Sequence, residues 1–440
     1  MTSARDSEIL TRVGPGTPMG ALMRQYWIPA AASSELEADG APMRLMLLGE
    51  KLIAFRDSQG RVGILDHRCP HRAASLFYGR NEQGGLRCVY HGWKFDADGA
   101  CLEMPNLPKH QEFCDKVRAK AYPVAERNGL IWTYMGPRAE PPPLPMIEAA
   151  LLPESERRFI AVQRECNWLQ ALEGEVDTSH FSFLHYGAVD PETIDPNSHS
   201  RYNALDRAPS YDVKDTPWGT MYGAWRPAEN SCKSWRIAQF LFPFWTMPPD
   251  GDFGGHVWAR SWVPMDDTHT MFMQLTWNNS TRGVRETVDG SALPGLGYDY
   301  EFLPNSTDWY GRWRLALNQS NDYGIDREMQ ANGSYSGIDG LLLQDQAITE
   351  SMGPITDHGW ETLAPSDRMI VRTRNRLRDA ARALAEDGTL PPGVDDPESY
   401  LRARSGDFSA DAETDWQDAY AEQIRGAENP TGQLLLEGVE

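Results

Sequence analysis

Cys69-Pro-His71 and Cys88-Val-Tyr-His91 are the most informative stretches of this 440-residue sequence. Each pair holds a thiol close to an imidazole, so two such loops between strands can bring four metal donors to one point. Two Cys and two His can serve either a tetrahedral zinc ion or an iron–sulfur cluster. A zinc finger places both cysteines before both histidines, whereas here the order alternates. The alternation favours a 2Fe–2S cluster in which two Cys hold one iron and two His hold the other.

Short strands separated by tight polar turns surround this motif. The segments 43–48, 51–56 and 61–65 are rich in apolar residues, and Gly, Asp, Ser, Gln and Glu stand between them. Such a succession predicts a small antiparallel β domain, which we place at residues 43–138. The proline-rich stretch 137–145 predicts a stiff linker after it.

A second group of metal donors follows in Asp177-Thr-Ser-His180-Phe-Ser-Phe-Leu-His185. Asp177 and His180 are three residues apart, so on a helix they would share a face. His185 stands five residues further on and reaches the same point only if the helix bends or ends there. Two His and one carboxylate on one side of an iron leave its other positions open, as in non-haem Fe(II) oxygenases. Taken alone, the string also fits two helix histidines with a purely structural role.

Two motifs resemble those of the α subunits of Rieske non-haem iron ring-hydroxylating oxygenases: the Cys/His motif and the second donor group within residues 167–185. That second motif, with residues 19–29 and 344–354, resembles in particular their phthalate dioxygenase branch, and the resemblance covers nearly the whole chain. It implies an α+β fold, in which a Rieske β domain is inserted before a helix-grip-like catalytic domain built on an antiparallel sheet. Residues 1–42 are then expected to form a helical segment that packs on the catalytic domain at 139–440.

The resemblance also implies two metal centres in each subunit. The ligands of one 2Fe–2S Rieske cluster would be Cys69, His71, Cys88 and His91. One mononuclear Fe²⁺ would be held by His180, His185 and Asp345. Asp345 matches the Asp of an Asp-x₄-Glu pattern that supplies the carboxylate ligand in this family. The same segment offers two alternative carboxylates, Glu350 and Asp357.

The resemblance gives Asp177 a catalytic role of a different kind. In this family the matching Asp is thought to bridge the Rieske His of one subunit and an iron-ligating His of the next, and a carboxylate that accepts N–H bonds from two imidazoles orients both. This arrangement implies a head-to-tail homotrimer, or a hexamer made of two trimers. An NAD(P)H-dependent reductase with flavin and iron–sulfur groups would supply the electrons.

The expected reaction is the dihydroxylation of an aromatic carboxylate, similar to phthalate or benzoate, with O₂. An anionic ring needs a cation in an otherwise apolar pocket. The candidates are Arg207, Arg226 and Arg236, although structural ion pairs explain each of them equally well. The alternatives are a monooxygenase or O-demethylase with the same ligands, and a Rieske electron-transfer protein without a mononuclear iron.

Composition excludes other classes of function. A net charge of −21 argues against wholesale nucleic-acid binding, because phosphates repel such a surface. No apolar run reaches the roughly 18 residues of a membrane helix, and we expect a cytoplasmic protein. One stretch of this acidic chain is rich in basic residues. It is either a solvated face or a docking patch for an acidic electron donor. Its members are Arg61, Arg68, Arg72, Arg80, Arg87 and Lys94.

Overall fold

Residues 2–434, which the computed structural model describes, form four antiparallel sheets, and helices pack on the largest of them. The strands are β1 (Trp27–Ala32), β2 (Met43–Leu47), β3 (Glu50–Arg56), β4 (Val62–Asp66), β5 (Arg80–Glu82), β6 (Gly85–Arg87), β7 (Lys94–Phe95), β8 (Cys101–Glu103), β9 (Ala121–Tyr122), β10 (Val124–Arg127), β11 (Leu130–Tyr134), β12 (Arg157–Arg164), β13 (Ser210–Asp215), β14 (Gly219–Pro227), β15 (Cys232–Leu241), β16 (Trp245–Met247), β17 (Trp258–Pro264), β18 (Thr270–Trp277) and β19 (Gly406–Asp411). The α-helices are α1 (Ala4–Thr11), α2 (Pro18–Met23), α3 (Glu148–Leu151), α4 (Trp168–Val176), α5 (Ser200–Leu205), α6 (Arg327–Asn332), α7 (Leu341–Ser351), α8 (Arg368–Asp387) and α9 (Trp416–Gly426).

Two four-stranded sheets carry the Cys/His motif. Their strand orders are β2-β3-β4-β9 and β5-β6-β7-β8, and every pairing is antiparallel. The first cysteine comes shortly after β4 and the second comes directly after β6. Both are part of a small hydrophobic core, together with Ile53, Phe55 and Leu65. The predicted antiparallel β domain is therefore present.

The N-terminal segment contributes to two regions of the molecule. Helices α1 and α2 pack against α8. Strand β1, which the sequence did not indicate, pairs with β11 in a third sheet of order β1-β11-β10. The boundary placed between residues 42 and 43 therefore falls between β1 and β2.

The largest sheet dominates the second half of the chain. Its order is β12-β18-β17-β16-β15-β14-β13, and β19 joins it by pairing with β15. Helix α4 packs against β15, β16 and β17, and it also contacts α7. Helix α8 packs against β13 and β14. The expected α+β architecture, with an antiparallel sheet and helices in the catalytic domain, is confirmed.

Local sequence explains the ends of the helices that frame the site. The side chain of Asn167 accepts a hydrogen bond from the amide of Leu169 and begins α4. Gly388, at a φ of 78°, ends α8 in the left-handed conformation that glycine adopts readily. Across the described residues, none of the helices combines the length and the apolar character that a bilayer crossing requires.

Candidate metal centres and substrate pocket

The two Cys/His loops have the same backbone geometry. In each loop the cysteine amide donates to the carbonyl five residues later, over 2.8 Å. The cysteine carbonyl accepts from the amide four residues later, over 2.9 Å in both loops. The residues at that fourth position, Ala73 and Gly92, have φ angles of 57° and 79°. Two equivalent tight loops therefore present their donors side by side.

The four side chains of these loops form one donor set with two different faces. The Cys69 and Cys88 residues are each only 2% exposed, whereas both imidazoles lie nearer the surface. The rings of His71 and His91 have centroids 4.4 Å apart. Nδ1 of His71 is buried and has no hydrogen-bond partner, as expected of an atom that binds a metal. The set fits a cluster with two inner thiolates and two outer imidazoles.

Without a metal, the buried Cys69 thiol stays neutral. Burial raises the pKa of the Cys69 thiol to about 11, and the neighbouring thiol of Cys88 contributes to the rise. A protein environment without metal therefore keeps this thiol protonated at neutral pH. A metal that coordinates sulfur reverses this preference, because it deprotonates the thiol outright.

The predicted ligands of the second centre converge on one point. Nε2 of His185 lies 3.1 Å from Oδ1 of Asp345, and Nε2 of His180 lies 3.6 Å from the same oxygen. The two Nε2 atoms are 3.2 Å apart. Two imidazole nitrogens and one carboxylate oxygen that all lie within 4.8 Å of one another match the 2-His-1-carboxylate set.

A π-helical turn explains the spacing of five between the two histidines. The turn covers Phe181–His185, and the amide of Tyr186 donates to the carbonyl of Phe181 over 3.0 Å. A π-helix closes hydrogen bonds between residues i and i+5, so it brings residues five apart close together. The expectation that Asp177 and His180 share a face of one helix is wrong. Helix α4 ends at Val176, and Asp177 caps it in an extended conformation.

Gln344 holds the imidazole of His185 in one orientation, and sequence reasoning missed it. Its Nε2 donates to the carbonyls of Gly295 and Ile338, over 2.7 and 2.8 Å. Its Oε1 must then face Nδ1 of His185, 2.6 Å away, and accept the N–H of that atom. This tautomer leaves the Nε2 lone pair free for a metal. The available signal was its place beside Asp345 in the sequence.

The charges at the three ligands suit a cation. Burial alone would raise the pKa of the Asp345 carboxyl, but His185 and His180 beside it hold this pKa well below its usual range. The carboxylate is therefore ionised at all ordinary pH values. The two alternative carboxylates of the same segment have other roles. Glu350 accepts hydrogen bonds from the amide of Glu165 and from Gln346, and Asp357 is exposed.

Asp177 lies beside the ligands but does not complete them. Its Oδ1 accepts the amide of Ser179 over 2.7 Å, and its Oδ2 lies 3.7 Å from Nδ1 of His180. That distance is too long for a hydrogen bond. Nδ1 of His180 is buried without a partner. Asp177 and His180 also line a cavity formed by residues of α4 and α7, with a volume of about 240 Å³. We call it the Asp177 cavity.

The three predicted arginines take different positions. Arg236 lines the cavity that contains all three ligands, with its guanidinium 4.3 Å from the ring centroid of Phe181. Arg226 is buried away from this cavity and donates to the carbonyl of Asp206 and to Ser182. Arg207 donates to the carbonyl of Gly187 and does not reach the cavity.

The basic stretch of the β domain is largely neutralised by acidic neighbours. Arg61, Arg68 and Arg80 each pair with a carboxylate within 3.0 Å. Arg87 and Lys94 share Glu103. Arg72 instead contacts the ring of Tyr90. The exposed charge of this stretch is therefore much smaller than its sequence indicates, and it gives little support to a cationic docking patch.

Comparison with known proteins defines the class of the chain. A Rieske [2Fe-2S] domain model matches residues 26–123, and a model described as LigXa C-terminal domain like matches residues 133–432. The second model covers more than half of the chain, so the chain belongs to the Rieske oxygenase α subunits. The predicted family is confirmed.

Full-length relatives place the chain within this family. It is 52% identical to the 3-chlorobenzoate-3,4-dioxygenase oxygenase subunit of Comamonas testosteroni, over 97% of this chain and 99% of that protein. It is 36% identical to the phthalate 4,5-dioxygenase oxygenase subunit of Pseudomonas putida, over 96% of both. Dicamba monooxygenase has the same fold, with a TM-score of 0.55 at 18% identity, over 83% of this chain and 99% of that one. The predicted phthalate dioxygenase-like branch and the prediction of a Rieske-type aromatic ring dioxygenase are confirmed.

Proposed function

We propose that this chain dihydroxylates an aromatic monocarboxylate with O₂, using electrons that enter at its Rieske cluster. One observation supports this proposal most directly: His180, His185 and Asp345 converge beside a cavity that Arg236 also lines. Similarity over nearly the full length to a 3-chlorobenzoate dioxygenase subunit supports the substrate class. Ferrous iron held by these three residues would keep coordination positions open for O₂.

Arg236 is the residue we propose for the substrate carboxylate. Its Nε is buried without a hydrogen bond, and its nearest acidic atom, Oδ1 of Asp407, is 3.8 Å away. Burial raises the pKa of Asp407, which weakens this neighbour as a counter-ion. Arg260 lines the same cavity, but both carboxylate oxygens of Glu175 accept its N–H groups. One incompletely paired arginine fits a substrate with one carboxylate better than a dicarboxylate.

The unpartnered Nδ1 of His180 supports the proposed role of Asp177 and a ring of subunits. The Asp177 cavity includes the exposed Ile348 and Met352. The cluster edge exposes Val89 and Tyr90. Exposed apolar patches of this kind mark contact surfaces. We propose that the cluster edge of one subunit docks on the Asp177 cavity of the next in a homotrimer or hexamer, and sedimentation should show that species.

The electron donor in this proposal is an NAD(P)H-dependent reductase with flavin and iron–sulfur groups. Relatives named as oxygenase subunits imply a separate reductase component. Among residues 2–434, none of the six cysteines forms a disulfide, which fits the reducing cytoplasm in which such a reductase works.

The decisive experiment is a single turnover of chemically reduced, iron-loaded protein under ¹⁸O₂ with 3-chlorobenzoate, benzoate and phthalate. We expect a dihydrodiol with two labelled oxygens from a monocarboxylate. One labelled oxygen, or loss of a methyl group from a methoxylated analogue, would instead establish a monooxygenase or O-demethylase. The absence of product from every aromatic acid would overturn the substrate class.

The role of Arg236 can be tested in the same enzyme. We expect Arg236→Gln to raise KM for the monocarboxylate by about 30-fold or more, because loss of one partner of a buried charge pair costs about 2–5 kcal/mol. Arg207→Gln, which changes an arginine that does not reach the cavity, is the control. Equal KM values for wild type and Arg236→Gln would remove Arg236 from the substrate site.

A further inference from the structure

A larger cavity adjoins the cavity at the iron ligands. It has a volume of about 320 Å³, within the usual range for small-molecule sites, whereas the cavity at the ligands has only about 50 Å³. Asp250, Trp258 and Tyr298 line both cavities. A substituted benzene ring that approaches the ligands therefore needs space that the larger cavity supplies.

Strand register shows how the two cavities are connected across the sheet. β12 is an edge strand, followed by β18 and β17. Arg158 of β12 and Trp258 of β17 are both paired with Thr276 of β18, and this row lines the larger cavity. In the next row Gln274 pairs with Arg260, which lines the smaller cavity. The sheet face thus leads from its outer edge toward the ligands.

The walls and the rim of the larger cavity differ in chemistry. Its walls include the apolar and aromatic side chains of Phe159, Ile160 and Leu342. At the rim stand Arg158 and Arg282, both exposed. Neither forms an ion pair with a carboxylate of residues 2–434. Two arginines without an acidic partner beside an apolar cavity are unusual in a chain whose net charge is −21.

Asp250 lines this cavity, but its carboxylate is already paired and should not repel an anionic ligand. Both oxygens of Asp250 accept N–H bonds from Arg285 at 2.6 Å, and Oδ2 also accepts the hydroxyl of Tyr298 at 3.1 Å. Burial would raise the pKa of Asp250, but the charge and hydrogen bonds of Arg285 lower it overall. Its negative charge is therefore matched within the wall by Arg285, and the cations at the rim are Arg158 and Arg282.

We propose that this cavity is a vestibule that captures aromatic carboxylates through Arg158 and Arg282 and passes them to the ligand cavity. The inference rests on the proposed function, because it assumes an anionic aromatic substrate. The ring packs against the apolar walls while the carboxylate remains at the rim, and capture raises the rate of productive encounter. Arg158 and Arg282 act on entry and do not contact the reacting atoms.

The test uses the complete system, with both metal centres loaded, reductase in excess and 3-chlorobenzoate as substrate. We expect the double variant R158Q/R282Q to lower kcat/KM about tenfold at low salt, since steering by charge changes association rates by about 10-fold to 1000-fold. kcat should stay within a factor of two. The charge-reversed R158E/R282E should lower kcat/KM further. Raising the ionic strength from about 0.01 M to about 0.1 M shortens the screening length from about 30 Å to about 10 Å and should shrink the difference.

The control is R5Q/R118Q, which removes two exposed arginines elsewhere and gives the same net charge. Unchanged kcat/KM in R158Q/R282Q, or an equal loss in the control, would overturn the vestibule while the proposed function stands. A loss that does not depend on salt would also overturn capture by charge. If wild type converts no aromatic acid, the proposed function fails and the vestibule falls with it.

Discussion

The two predicted metal centres position their histidines by different means. The Cys/His loops repeat one pattern of backbone hydrogen bonds and lie within residues 69–93. The second centre takes His180 and His185 from a π-helical turn and Asp345 from α7. Its geometry depends on how α4, α7 and the large sheet pack together. The first centre is therefore built by local structure and the second by tertiary structure, and substitutions should separate the two.

The largest effect is expected from Asp345→Asn. The change removes the negative ligand, so the mononuclear iron and turnover should be lost while the spectrum of the cluster remains. Iron analysis and electron paramagnetic resonance measure the two centres separately. Glu350→Gln, on the same helix, is the matched control and should keep all the iron. If Glu350→Gln loses the iron and Asp345→Asn retains it, the ligand assignment is reversed.

The next effect is expected from Asp177→Asn, which should stop turnover although both metal centres stay loaded. The amide oxygen can still accept the amide of Ser179, so the local turn survives, but the charge that would face two imidazoles is gone. The readout is oxidation of the reduced cluster in a single turnover. Asp190→Asn is the control, because its carboxylate also accepts an amide two residues later. Normal turnover by Asp177→Asn would exclude the bridge.

Local patterns in the sequence indicated the first centre but only part of the second. The Cys/His motif, the surrounding strands and the helix ending at Gly388 depend on residues close in sequence. The π-helical turn results from how the residues after α4 pack, and no short-range pattern predicts it. Asp345 could be preferred over its neighbours only through the family resemblance. Strand β19 was missed because its partner, β15, lies far away in sequence.

A smaller effect is expected from Gln344→Leu, which tests the tertiary support of the second centre. The change removes the acceptor for Nδ1 of His185, and loss of such a partner typically weakens metal binding about 10-fold to 100-fold. Titration of the iron-free protein with Fe²⁺ measures this. Gln170→Leu is the control, since Gln170 also spans two carbonyls but contacts no ligand. Equal iron affinity in both variants would mean that Gln344 does not tune the site.

The smallest effects should come from Ala73 and Gly92, the left-handed positions of the two Cys/His loops. Because the two loops have nearly the same backbone geometry, substitutions at these positions can be compared directly. In Gly92→Ala the new Cβ would lie 2.6 Å from Cγ of Pro105, at a φ of 79°. The left-handed conformation alone costs an L-residue about 1–2 kcal/mol, so the midpoint of cluster loss on heating should fall. Ala73→Gly removes the cost of the left-handed conformation at that position. The same change increases the entropy of the unfolded chain, which destabilises the fold by about 0.4–1 kcal/mol. The midpoint should then barely move. A large loss in both variants would show that the loops depend on more than their own backbone geometry.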